Sequence, residues 1–308
     1  MKKMWGEKRY KSLNYFLREK FGEKVFKISL DGGFTCPNRD GKVSIGGCTF
    51  CSSKGSGDFA GNSSISITDQ FYNIKNMMRK KWNGEKYIAY FQAYTNTYGT
   101  VEELRKKYNE AIKEEGVVAL AIATRPDCLE EDILDLLKEF SEKIYLWVEL
   151  GFQTSRDDIG RNFNRGYDRD VFDKAIEGLR KRNIEVVVHT IFGLPEENPE
   201  DMLNTVKYVI SKDIQGIKLH LLHLMEETAM VKDYEEGKLK FLEKDEYVKL
   251  ICEAICLLPK DVVIHRLTGD APRDKLIGPM WSLKKWEVLN AIDKYLEDND
   301  LYQGKYID

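Results

Sequence analysis

Short apolar runs rich in β-branched and aromatic residues alternate along the chain with longer stretches in which apolar residues recur three and four positions apart. The runs Val25 to Ser29, Tyr87 to Gln92, Val117 to Ala123, Ile144 to Gly151, Glu185 to Ile191 and Gly216 to Leu222 read as strands. Between them, Val101 to Glu115, Leu129 to Phe140, Arg169 to Asn183 and Pro199 to Lys212 read as amphipathic helices. This alternation predicts an α/β fold, a partial (β/α)6 TIM-type barrel with parallel strands. In such a barrel every strand-to-helix turn opens on one mouth, so residues just after the strands are where chemistry is expected. No repeat, low-complexity run or Pro/Gly/Ser-rich linker divides the chain. The expected organisation is an N-terminal helical lead over residues 1–24, a core barrel over 25–224 and a mostly helical C-terminal extension over 225–308 packed on it.

Composition agrees with a large core: 308 residues with 42% hydrophobic and 11% aromatic content exclude disordered, collagen-like and disulfide-scaffold classes. Basic and acidic residues nearly balance, at 48 and 51. That excludes a wholesale polycation and still allows a local basic groove. The first residues are interrupted by Lys2, Lys3, Glu7, Lys8, Arg9 and Lys11, which leaves no apolar signal segment. No apolar run approaches the ~18 residues needed to span a bilayer. A cytoplasmic protein without membrane contact is expected. Six cysteines in so long a chain are too sparse for a disulfide framework, so metal-binding or catalytic use is expected of some.

Three of them stand in one loop. Cys36, Cys48 and Cys51 form C-x11-C-x2-C within a loop reaching from Cys36 to Asn62, and a loop that long is uncommon unless it is functional. A closed structural zinc site needs four ligands, yet no histidine occurs before His189. Three thiolates on an iron–sulfur cubane would leave one iron open. The glycines Gly41, Gly46, Gly47, Gly55 and Gly57 let the backbone wrap such a body, while unligated cysteines in a turn-rich loop are the alternative reading. Cys252 and Cys256, four apart on a helical face, have the spacing of core packing, and Cys128 reads as a buried thiol.

The segments Lys27-Ile-Ser-Leu-Asp-Gly-Gly-Phe-Thr-Cys36-Pro-Asn-Arg-Asp-Gly and Gly46-Gly-Cys48-Thr-Phe-Cys51 resemble the radical S-adenosylmethionine (radical SAM) superfamily, in its YhcC/YtqA-like branch. The usual superfamily spacing is C-x3-C-x2-C, and the long first gap is a mark of that branch. Val148-Glu149-Leu150-Gly151-Phe152-Gln153-Thr154 and Asn164-Arg165-Gly166-Tyr167 resemble stretches of the Elongator catalytic subunit, as does Thr124-Arg125-Pro126-Asp127.

The resemblance implies a [4Fe–4S] cluster on Cys36, Cys48 and Cys51 whose fourth iron binds SAM. It implies that one-electron reduction cleaves SAM to methionine and a 5′-deoxyadenosyl radical that abstracts hydrogen from a substrate. By the same resemblance, Phe50 shields the cluster and lines the adenine pocket. Gln92, Tyr94 and Thr95 stand where relatives hold the methionyl amino group. Glu149, Gln153 and Arg165 face the zwitterionic end, with Ile191 against adenine and the backbone at Leu221 along its edge. A buried glutamate requires a cation, and methionine offers an ammonium for Glu149 and a carboxylate for Arg165; an internal Glu/Arg pair is the alternative.

Arg125, His189, His220, Arg266 and Asp270 are expected to face substrate. On the strand Lys218 to His223, alternation points Lys218, His220 and Leu222 one way and Leu221 with His223 the other. A flavodoxin- or ferredoxin-type reductant is the implied partner, and resemblance to a wobble-uridine-modifying subunit makes tRNA the expected substrate, modified on the C5 side chain. The runs Arg79-Lys80-Lys81, Arg105-Lys106-Lys107, Arg180-Lys181-Arg182 and Lys284-Lys285 would then track phosphate, and Trp281 or Tyr94 would stack on an extruded base. A radical SAM enzyme acting on a small metabolite or peptide, and a non-catalytic iron–sulfur sensor, are the competing readings.

Overall fold

The computed structural model describes residues 4–307. Its centre is a curled, half-barrel sheet of parallel strands. These are β1 (Val25–Leu30), β2 (Lys86–Phe91), β3 (Val117–Thr124), β4 (Tyr145–Gln153), β5 (Glu185–Phe192), β6 (Gly216–Leu221) and β8 (Val263–Arg266), paired in that order. Between β6 and β8 the chain makes β7 (Leu224–Met225), which pairs antiparallel with β9 (Leu276–Gly278). The expectation of an α/β partial barrel holds, with a seventh strand added. That strand lies within the segment read as helical, and at four residues it is too short for its periodicity to register beside the helix before it.

The helices are α1 (Leu13–Phe21), α2 (Ile67–Arg79), α3 (Val101–Ile112), α4 (Glu131–Ser141), α5 (Asp157–Asn162), α6 (Arg169–Lys181), α7 (Pro199–Ile210), α8 (Val231–Glu235), α9 (Lys244–Leu257) and α10 (Lys285–Asp298). Helix α2 went unread from sequence, although Ser66 caps it by accepting from the Asp69 N–H and it buries Ile67, Phe71 and even Lys75. The main core lies between the outer face of the sheet and these helices, and Cys252 belongs to it, bonded only weakly to the Ile292 carbonyl at 3.7 Å.

A second, smaller core fills the inside of the curl. Ala119, Ala121 and Ala123 on β3 are small enough to leave room for Tyr90, Trp147 and Val187 from neighbouring strands, and Leu17 of α1 packs in with them. Helix α1 therefore plugs the bottom, where Ser12 also bridges to Ile264 of β8. The opposite end, at the C-terminal edge of the strands, stays open. No helix among the described residues is long and apolar enough to cross a membrane.

Candidate active site

At that open end lies a cavity of about 780 Å³. The three loop cysteines, the expected SAM-facing residues and Arg125, His189, His220, Arg266 and Asp270 all border it, from Cys36 on the loop after β1 to Asp270 beyond β8.

The cysteine loop is fastened to the ends of the strands. Tyr94 takes a left-handed φ of 59° just after β2, and its N–H donates to the Gly55 carbonyl at 2.8 Å. A Cβ at Gly55 would stand 2.2 Å from the Tyr94 ring, so glycine alone permits this approach. Gln92 Nε2 donates to the Ser56 carbonyl at 2.7 Å, and the Thr95 N–H to the Thr35 carbonyl at 3.2 Å. These three residues thus brace the loop that carries the cysteines. On its other side Phe50 meets Phe163 with ring centroids 5.2 Å apart and packs, with Cys48 and Ile191, on a cluster containing Phe163 and Leu222.

The three loop cysteines are free and half-buried. Burial pushes the Cys48 thiol up to about 12, with the neighbouring Cys51 sulfur adding to the rise, and burial also raises Cys51. Arg39 counters this at Cys51, while Asn38 Nδ2 donates to Cys48 Sγ at 3.6 Å. Three electrostatically coupled sulfurs in a partly buried pocket need more positive charge than Arg39 supplies before they can be thiolates together. An iron–sulfur cluster provides that charge, so the donor set fits one.

The end of β4 carries a strained residue. Its pairing with β5 slips between Gly151 and Gln153, and Gln153 takes a φ of 68° with its buried Oε1 lacking a partner among the described residues. Arg165 is tied inward. Its Nε donates to the Tyr167 carbonyl at 2.8 Å, Nη1 to the Phe152 and Thr154 carbonyls at 3.0 and 2.7 Å, and Nη2 to Asp157 at 2.8 Å. Arg125 is held by Asp127 through two bonds of 2.9 and 2.7 Å.

Below the mouth, Glu149 is wholly buried in the curl. Lys218 donates to its Oε2 in a short bond, Lys27 Nζ is 3.4 Å from Oε1, and Trp147 Nε1 donates to Oε1 at 3.0 Å. His189 Nε2 lies 2.9 Å from Oε2. Burial would raise this carboxyl, yet Lys218 and Lys27 outweigh it and hold Glu149 well below the ordinary range. Burial drives His189 down to about 4, so the ring is neutral and Nε2 carries the proton given to Glu149. Glu149 and Arg165 accordingly bond other groups rather than each other.

His220 stands 5.1 Å from His189, ring to ring. Lys218 and His220 share the cavity as alternation requires, and the Leu221 side chain turns to the helix-side core. His223 lines the cavity as well, contrary to the alternating pattern, because β6 ends at Leu221 and the alternation ends with it.

Arg266 ends β8 and reaches Asp270 at 3.4 Å, and Lys285 grips the same Asp270 at 2.7 Å. His265 and Arg266 both lie within β8, and Asp270 follows it. Trp281 does not line the cavity: its ring packs 5.5 Å from Tyr247 and its Nε1 donates to the Leu242 carbonyl at 3.0 Å. Of the basic runs, Arg79 to Lys81 and Arg180 to Arg182 lie where helices turn back to β2 and β5, at the end of the barrel away from the mouth. Arg180 is bound to Asp213, Arg182 to Asp135, and Arg105 to Glu139. Sequence reasoning missed Lys27 and Tyr90 as cavity residues; a lysine inside an apolar strand was the available signal for the first.

The sequence profile of the radical SAM superfamily matches residues 36–209, and that of the radical SAM C-terminal domain matches residues 214–298. This chain is a radical SAM enzyme. It is 54% identical over 300 residues to the Bacillus subtilis protein YtqA, covering 97% of this chain and 93% of that one. It is 37% identical to the Escherichia coli protein YhcC, covering 92% and 91%. A tRNA uridine(34) acetyltransferase of Methanocaldococcus infernus is 28% identical over 203 residues, covering 65% of this chain and 36% of that protein. The solved structure of an archaeal Elp3 from the same organism superposes with a TM-score of 0.67 at 18% identity, covering 91% of this radical SAM enzyme and 64% of that chain, a likeness of fold. The family implies SAM and a [4Fe–4S] cluster as cofactors.

Proposed function

We propose that Cys36, Cys48 and Cys51 hold a [4Fe–4S] cluster with one iron open to SAM, and that the enzyme acts on the wobble uridine of tRNA. A cluster held by these cysteines and reduced by a flavodoxin- or ferredoxin-type donor would supply one electron to SAM, cleaving it to methionine and the 5′-deoxyadenosyl radical that begins the reaction. The observation that carries the reading is the convergence of three free cysteines and the expected SAM-facing residues on a single cavity at the strand ends.

The chain's own residues then have definite tasks. Phe50, backed by Phe163, covers one side of the cluster and excludes water from it. Gln153, with a buried amide oxygen left free, accepts a bond from the SAM ammonium. Arg165 keeps the end of β4 and the turn at Tyr167 in one geometry, and its remaining Nη2 hydrogen is available to the SAM carboxylate. Ile191 offers adenine an apolar face.

Support for tRNA comes from the Methanocaldococcus relative named for uridine 34 of tRNA. The test is a comparison of nucleosides digested from tRNA of cells with and without the gene. A changed wobble-uridine profile is expected, restored by the wild-type gene and not by Cys48→Ala. An identical profile would remove RNA as the substrate and turn the reading to a small metabolite or peptide.

A further inference from the structure

The cysteine loop and the end of β4 border the upper part of the cavity; its floor is lined by a different set of groups. The chain has four histidines. All four, His189, His220, His223 and His265, border this one cavity, although they come from β5, β6, the turn beyond β6 and β8. Among the described residues, Nε2 of His220, Nε2 of His223 and Nδ1 of His265 are buried without a hydrogen-bond partner. Each such atom costs ~1–3 kcal/mol when it stays unpaired. Three of them around one chamber indicate a ligand that pairs them.

Charge gives the ligand its sign. Lys27 and Lys218 both converge on Glu149, so the floor has two lysines for one carboxylate, and burial lowers both, Lys218 to about 7. Above them Arg266 and Lys285 share the single carboxylate of Asp270. Tyr90 accepts from Lys218 Nζ at 3.2 Å and is neutral, and Trp147, 5.7 Å from His265, adds no charge. The side chain of Lys218 is 5% exposed and spent on Glu149, whereas that of Lys27 is 25% exposed and reachable from the cavity.

We propose that the floor of the barrel is a subsite for an anionic group of the substrate, a carboxylate or a phosphate, received by Lys27 and by ring N–H groups of His220 and His265. The anion gives the second floor lysine a counter-charge that keeps it in the ammonium form against its burial, and it supplies acceptors to histidines that lack partners. This deepens the substrate reading above and rests on it only for the entry of substrate through the same mouth.

With four histidines all in the cavity, ring-nitrogen NMR of 15N-histidine-labelled, cluster-reconstituted protein in its oxidised state reads the site directly. Sodium acetate and inorganic phosphate are the probes, and acetamide is the neutral control. The expected result is a saturable shift of the His220 and His265 ring nitrogens with at least one of the two anions and none with acetamide. Saturation by acetate alone assigns a carboxylate, and by phosphate alone a phosphate. Lys27→Met should raise the dissociation constant roughly tenfold, the loss of one charge-assisted contact, and Lys27→Arg should restore most of it. Should Lys27→Met not fold, the comparison of anion with acetamide on the wild type still decides. Absence of a saturable shift with either anion, or an equal shift with acetamide, overturns the proposal. SAM cleavage assayed on the same sample reports the cofactor reading separately, so anion binding without cleavage would leave this inference standing and sink the other.

Discussion

Glu149 shows how one buried charge is made tolerable: two lysines, a histidine and an indole N–H surround it, and removing it leaves both lysines without their buried counter-charge. Glu149→Ala should destabilise by ~3–5 kcal/mol in chemical denaturation, the range for breaking a buried pair from one side. Lys27→Met should cost less, because Lys218 keeps the carboxylate paired. The histidines set a pH dependence. Burial holds His189 and His223 down to about 4, and His220 and His265 well below their ordinary value. Between pH 6.5 and 4 the unfolded chain therefore takes up protons that the folded one refuses, so stability falls as pH falls through that window. Each fully differing histidine contributes a slope of about 1.4 kcal/mol per pH unit. Denaturation midpoints recorded from pH 7 to 5 check this, and His223→Gln should flatten the curve; a midpoint flat across the window would contradict neutral histidines. Sequence reasoning placed Glu149 and His189 at the cavity but offered Glu149 only Arg165 as an internal cation and missed Lys27 and Lys218, since pairing across β1, β4 and β6 depends on register that no local pattern displays.

At the scale of elements, most of the barrel was legible. Six strands and four crossover helices announced themselves because each is long enough to show its period. Strand β8 did not, being short, and α2 was hidden behind the long cysteine loop and its polar residues. The alternation along β6 held while the strand lasted and failed at His223, where pairing stops. How the loop is fastened was illegible, because the contact of Gly55 with Tyr94 joins residues far apart in sequence through a steric fit. Gly55→Ala should displace the loop, and bound iron after anaerobic reconstitution should drop by half or more while far-UV circular dichroism stays unchanged. Adding Tyr94→Ala removes the clash, though not the strain of a φ of 54°, and should recover part of the iron. Full iron occupancy in Gly55→Ala would show that the loop adapts.

Across the whole molecule, a half-barrel plugged below by α1 and open above brings residues from nearly every strand to one chamber, with three free cysteines at its rim and Glu149 with its two lysines at its floor. The basic runs along the sequence suggested a nucleic-acid surface; in the fold two of them sit at the far end of the barrel and several of their arginines are bound to acids, because charge runs cluster where helices end whatever the site requires. If Cys36, Cys48 and Cys51 together make the reactive centre, SAM cleavage must depend on each of them. The most direct measurement is the yield of methionine and 5′-deoxyadenosine from SAM after dithionite reduction of anaerobically reconstituted protein, taken for the wild type and for Cys36→Ala, Cys48→Ala, Cys51→Ala and Cys252→Ala. Cleavage is expected in the wild type and in Cys252→Ala, with each of the three loop variants losing both cleavage and the iron–sulfur absorbance. Cleavage surviving in any loop variant, or lost equally in Cys252→Ala, would show that these three cysteines do not together make the reactive centre.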